Sequence, residues 1–534
     1  MRAARNSLLL AACLAPAALA LWWVYRFTVN VPMWDEWQYL QLLRASYESH
    51  VNWQMLFAQH NEHRILVPRL VMLGLDHLSH YDNRWELYAA WGCLAGVALL
   101  CFAEIRRVQP RYALLAAAPM SAMVFTLRQY ENLIWGMQIT LMLCVFFAAA
   151  ALALLASSRR MALAPAAICA VAASFCFFNG LLIWPAGAVQ LAAARRWRVL
   201  PAWCGAGAAT TAIYLWGYVK PGHHPSLTSF LHQRLAGLPF FLAAAGNSMS
   251  ETERAGICYG SLVALFALVL LWRSLRDGTG QTMAPGLIAF AAGTWAALTL
   301  GRAGFGVEQA LTSRYASFTL LGVCGIYLTA LRTRSHAIAA VTASMIFLGA
   351  IDNDNLAVLR GPGMRAGREV ARDSLLSYEV ASDARLGILS QPAMVREEAP
   401  FLRDRKLSAF ARSGSLPDFS LESIAGAPPT VPVRLAALEA DVKITGWAVD
   451  RASKQLLTSV KVVFDGRELR TRYGVARLDV ASILHDPALS ASGFEALLRA
   501  TALVPGPHRL QVLVTNREGI TYEEPEQLFT VETR

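Results

Sequence analysis

The sequence predicts an α-helical polytopic membrane protein with about eleven spanning helices, followed by a small extracytoplasmic β-sandwich domain. Three observations carry that reading. Of 534 residues, 55% are hydrophobic and only 16% charged, and a mean hydropathy of +0.38 is too high for an ordinary soluble chain of this length. The apolar residues gather in runs long enough to cross a bilayer, separated by short arginine-bearing segments. From Thr430 onward the pattern changes to short alternating segments, VKITGWAV, SVKVVFDG and HRLQVLVTNREGITY, which read as strands.

The runs lie near 8–25, 85–104, 112–128, 138–156, 161–178, 181–194, 199–217, 255–272, 283–300, 315–331 and 336–351. Ala18-Leu19-Ala20 in the first would suit a secretory leader, but the run continues through Leu21 to Tyr25, so an uncleaved first helix is expected. The sixth is short and follows the fifth through Asn179-Gly180, which leaves open a hairpin that does not cross fully.

The net charge of +11 sits in clusters between these runs, so it orients helices rather than serving nucleic acid. Arg2/Arg5, Arg106/Arg107/Arg111, Arg159/Arg160, Arg195/Arg196/Arg198, Arg273/Arg276 and Arg332/Arg334 fall on one face throughout the alternation. The positive-inside rule then makes the N-terminus cytoplasmic and the C-terminus extracytoplasmic. On the outer face lie 26–84, the turn Arg128–Asn132, the loop Tyr218–Arg254, the turn Gly301–Arg314 and everything after Ile351. The first loop is expected to hold helices at Glu36–Tyr47 and Arg64–Leu78, and Phe230–Ala245 is apolar enough to re-enter the membrane.

Three regions follow: a transmembrane domain over 1–351, a helical and linker region over 352–429 ending in Ala425-Gly426-Ala427-Pro428-Pro429, and the β-sandwich over 430–534. In the last, Asp465-Gly466 reads as a turn and Glu518-Gly519 as a hairpin loop. All nine cysteines lie in or beside apolar runs with no Cys-x-x-Cys pair, which supports neither a thiol zinc site nor a disulfide framework. Lysine occurs only at Lys220, Lys406, Lys443, Lys454 and Lys461, an arginine bias typical of GC-rich bacterial genomes.

The concentrated polar groups all fall on the expected outer face. Between Met33 and Arg69, Asp35 and Glu36 stand among Trp34 and Trp37, and His60, Glu62, His63 and Arg64 crowd into five positions. Such a cluster at a bilayer edge costs desolvation and repulsion, which points to a site; the plainer alternative is a solvated loop with aromatic anchors. Further along come Glu131, Asn132 and Gln138, then Arg302, Glu308, Arg314 and Tyr315 around a glycine-rich turn. Guanidinium forks beside glycine suit a phosphate at headgroup level, although arginines also snorkel to anionic lipid.

This order of parts, a first helix, a long first outer loop opening with Asp35-Glu36, many further spans and a soluble C-terminal domain, resembles the C-superfamily of membrane glycosyltransferases (GT-C). The likeness covers roughly 1–351 as architecture, with 26–84 as the catalytic loop. It implies inverting transfer of a sugar from a polyprenyl-phosphate carrier to a glycan, lipid or protein acceptor of the cell envelope, on the periplasmic face of a bacterial inner membrane. Asp35 matches the loop-one acid that acts as general base, with Glu36 its neighbour or substitute. Assigning Arg64, Arg302 and Arg314 to the carrier phosphate, with His60, Glu62, His63, Glu131, Asn132, Gln138, Glu308 and Tyr315 around the substrates, is an inference from residue chemistry. Some members use a divalent metal, to which Asp35, Glu36, His60, Glu62 and His63 could supply ligands, but no recognised ligand spacing is present. The competing expectations are an O-antigen polymerase or ligase, a transporter or flippase of lipid-linked glycans, and a glycan-binding scaffold.

Overall fold

A computed structural model describes residues 2–221, 234–332, 336–376, 378–379, 381, 383–411, 418–424, 433–436, 441–450, 455–499, 504, 506–517, 519–523 and 527–532. The chain divides into two compact units, Met1–Thr28 with Leu42–Arg365, and Val29–Gln41 with Ala366–Arg534. One helix runs across the expected boundary at 351. The apolar run from 336 and the helical periodicity beyond Gly367 join in one helix, His336–Leu376, which Pro362 does not end.

The first unit is helical and membrane-embedded in character. Among the described residues, six helices are long and apolar enough to cross a bilayer: Ala4–Phe27, Arg84–Val108, Gly136–Leu155, Glu253–Asp277, Ala284–Phe305 and Ser313–Arg332. Four of the other expected spans are shorter. Residues 112–128 give the helix Ala113–Val124 and a 3-10 segment Leu127–Leu133, and 12 residues rise only about 18 Å against a hydrocarbon core of about 30 Å. Residues 161–194 give Leu163–Ser174 and Ile183–Ala193. Between them the chain reverses so tightly that a Cβ on Gly180 would fall 1.9 Å from the Ala173 carbonyl oxygen, so only glycine fits. The run at 199–217 gives Leu200–Leu215. Of Phe230–Ala245, residues 230–233 lie outside the described residues, as does Arg334, and the rest belongs to the helix Arg234–Gly246.

Small residues set the closest helix approaches. Gly187 abuts Trp203 and Gly207 abuts Trp184, whose rings lie 4.6 Å apart. Helix Arg234–Gly246 crosses Glu253–Asp277 at Gly246, Gly256 and Gly260, where a Cβ on Gly260 would sit 1.6 Å from the Leu242 carbonyl oxygen. This is the Gly-x-x-x-Gly logic of membrane helices, in which missing side chains let backbones touch.

In the second unit, helix Pro392–Asp404 precedes two sheets. One runs 418–424, 442–449, 493–498, 471–475, antiparallel throughout. The other runs 433–436, 527–532, 506–515, 459–464, 467–469, with 521–523 also on 506–515 and one parallel pairing, between 433–436 and 527–532. Alternation decides the faces: Val442, Ile444 and Ala448 are buried, while Lys443 is exposed. Asp465 and Gly466, at φ 45° and 77°, make the expected hairpin turn. The linker Ala425–Pro429 and Glu518 lie outside the described residues.

Candidate functional site

The two acidic groups of the Met33–Arg69 stretch separate by unit. Asp35 and Glu36 belong to the second, and His60 to Arg64 to the first.

In the first unit, Gln59-His60 and His63-Arg64 pair as a minimal antiparallel hairpin. Asn61 at φ 49° accepts the left-handed conformation that its tip requires, because a short polar side chain tolerates it. Glu62 is thereby presented beside it. The hairpin is anchored by Arg64, which is buried and gives Nε to the Tyr214 carbonyl at 2.6 Å, Nη1 to the Phe57 carbonyl at 2.8 Å and Nη2 to the Trp216 carbonyl. Its plane also lies 4.6 Å over the Phe57 ring. This fork holds chain, so in this arrangement Arg64 is a positioning residue rather than a phosphate grip.

Arg302 and His63 both face the Glu62 carboxylate. Arg302, from the end of helix Ala284–Arg302, donates Nη2 to the carboxylate Oε1. His63 Nε2 lies 3.6 Å from the same oxygen. The Phe178 amide donates to His63 Nδ1 at 3.1 Å, which puts the proton of the neutral ring on Nε2, facing the carboxylate. The imidazole stacks on Phe177 at 3.7 Å, so packing fixes its plane as well. Outside the expected spans, burial and then the Glu62 charge push the Tyr218 phenol above its ordinary range. Its ring lies 6.5 Å from that of Tyr214, which anchors the hairpin; nothing in its local sequence marks it.

Arg302 and Arg314 both address the buried ring of Tyr315, at 5.7 and 5.4 Å from its centroid. The turn that bears them is set by Glu131 and Asn132. Glu131 Oε2 accepts from the Arg314 amide at 3.1 Å, its own amide donates to Ser313 Oγ at 3.2 Å, and Asn132 Nδ2 donates to the Arg314 carbonyl at 2.9 Å. Gln138 is buried in the turn Gly136–Gln138, His60 is buried in the hairpin, and Glu308 is exposed. Behind this lies a buried knot centred on Arg128, 1% exposed. It donates to Asn247 Oδ1 and the Leu311 carbonyl, each at 2.6 Å, and lies 3.7 Å from Glu251, which Arg360 also engages at 2.5 Å. Next to it, burial pushes Asp354 up to about 6 against the amide of Leu127 and the hydroxyl of Thr126.

In the second unit, Asp35 is half-buried before helix Glu36–Tyr47, whereas Glu36 is fully buried. Glu36 Oε2 accepts from the Met33 amide at 2.6 Å, while its own amide donates to the Met33 carbonyl at 3.1 Å. Burial lowers the guanidinium of Arg368 to about 10, opposed by the Glu36 charge. Arg368 also stands 5.8 Å over Trp34, which holds φ 52°, unusual for a bulky residue.

Among the described residues, no group of three or more His, Cys, Asp or Glu side chains could hold a metal ion. The first unit offers a pair of arginines on one tyrosine, a carboxylate and a fixed imidazole, groups that can bind an anion and hand over a proton. Compared with protein-family models, with curated proteins and with solved structures, the chain matches none.

Proposed function

We propose that this protein is an integral membrane glycosyltransferase of the GT-C type. In this reading it moves a sugar, with inversion, from a polyprenyl-phosphate carrier to a glycan, lipid or protein acceptor on the periplasmic face of a bacterial inner membrane. The observation that carries the reading is the meeting of Arg302, Arg314, Tyr315, Glu62 and His63, drawn from segments far apart in sequence. Two guanidinium groups suit a departing lipid phosphate, and a lipid-linked donor reaches them from a helical, bilayer-embedded unit.

Within the proposal, Asp35 is the general base on the strength of the resemblance. Arg302 and Arg314 hold the carrier phosphate, Glu62 and His63 keep Arg302 in place, and Glu131 and Asn132 shape the turn. The eleven-span topology with a cytoplasmic N-terminus also belongs here, supported by the one-sided arginine clusters. So does a sandwich formed by the two C-terminal sheets.

The test is transfer from a panel of polyprenyl-phosphate sugars by purified wild type beside Asp35→Asn and Arg302→Gln. Both variants are expected to lose at least about 100-fold in turnover. Wild-type rates in Asp35→Asn remove the base assignment; no transfer by wild type from any donor removes the enzyme.

A further inference from the structure

We infer that the helical unit carries a dedicated site for one anionic phospholipid, with an acyl chain in an apolar groove and the headgroup phosphate in a polar pocket at its arginine-bearing end. This site is independent of glycosyl transfer.

The groove encloses about 460 Å³ along helix Glu253–Asp277, lined by Tyr259, Leu262, Phe266 and Val269 on one side and by Ile326 and Met345 on the other. From Tyr259 to Arg273 the helix rises about 21 Å, comparable to a single leaflet's acyl chain. The same helix is among the least covered of the candidate spans, with 17% of its apolar window buried, so its face is open to hydrocarbon. Hydrocarbon chains are what a bilayer supplies to such a surface.

At its end the groove does not close. Leu270 and Arg273 line both the groove and a second pocket of about 180 Å³, which adds Thr279, Thr282 and Arg332. The one acid there, Asp277, is taken by Arg276 at 2.7 Å. Arg332 reaches the Thr279 carbonyl at 2.8 Å, while the buried Thr279 hydroxyl has no partner among the described residues. Arg195 sits close by, donating to the Arg276 carbonyl at 2.7 Å. Two guanidinium groups line the pocket, with Arg195 and Arg276 beside it and one carboxylate already paired, so the pocket is positive and a hydroxyl waits for an acceptor.

A free anion would explain the pocket but not the groove, and a neutral lipid would explain the groove but not the charge. A phosphate monoanion esterified to a chain satisfies both. Basic pockets between membrane helices recognise anionic headgroups in this manner.

The experiment measures thermal unfolding of the full chain in detergent with added dioleoyl phosphatidylglycerol, dioleoyl phosphatidylcholine or glycerol 3-phosphate. Phosphatidylglycerol alone is expected to raise the transition. Arg273→Gln, at an exposed position, and Val269→Trp, which fills the groove, are each expected to weaken that effect about tenfold in apparent affinity. Neither should move the transition without lipid. Equal stabilisation by phosphatidylcholine overturns the headgroup assignment. Equal stabilisation by glycerol 3-phosphate overturns the acyl groove. Unchanged phosphatidylglycerol response in both variants overturns the site.

Discussion

Two carboxylates from one short stretch of sequence meet opposite fates. Glu36 is fully buried and bound to the Met33 amide, with Arg368 as its neighbouring charge. Glu62, with its side chain 15% exposed, sits at the tip of a hairpin against Arg302 and His63. A buried carboxylate tied to backbone contributes chiefly to holding the fold, because removing it takes an acceptor from the Met33 amide and a counter-charge from Arg368. A partly exposed carboxylate between a guanidinium and an imidazole holds groups that a ligand can compete for. Charge density along a sequence therefore marks where to look, and burial decides what is found.

The sharpest way to break this contrast is to remove both acids in parallel. Glu36→Ala is expected to cost about 3 kcal/mol or more of stability, seen as a lowered unfolding transition. Glu62→Gln should leave that transition nearly unmoved and lower the proposed transfer through misplacement of Arg302. A destabilised Glu62→Gln beside an unaffected Glu36→Ala reverses the argument.

A smaller effect sets a packed glycine against an open one within the first unit. Gly260→Ala brings a methyl group onto the Leu242 carbonyl, and such overpacking costs about 1–3 kcal/mol. Gly363→Ala, with nothing within 4 Å of the added carbon, should be neutral or slightly stabilising by thermal unfolding.

The smallest is a pH effect at Asp354, whose carboxyl rises from 3.8 to about 6 in the fold. An acid raised on folding favours the folded state in its protonated form. Its contribution is therefore complete below about 4, falls as the pH climbs through the window to about 6, and is flat above. Asp354→Asn should flatten that part of the stability profile, measured by unfolding across the window; an unchanged slope assigns it to another group.

Much of the scaffold was legible because its causes are local. The helix Glu36–Tyr47 and the Asp465-Gly466 turn appear where expected, since helical periodicity and turn chemistry act over a few residues. The long apolar runs were equally plain. What stayed hidden depends on distant partners: Arg302 meets Glu62 across 240 positions, and Tyr218 enters through that same carboxylate. The short helices at 163–174 and 183–193 were legible in part, because Asn179-Gly180 between two runs left a hairpin open. Hydropathy alone does not record how closely Gly180 turns the chain back on the Ala173 carbonyl.

Arg64 fastens the hairpin, the preceding turn and the end of helix Leu200–Leu215 through three carbonyls at once. Those three pieces consequently travel as one lever. If access to Glu62 ever requires displacement, the hinge must sit outside this clasp, and trimming Arg64 would convert a stiff arm into three loosely coupled strings.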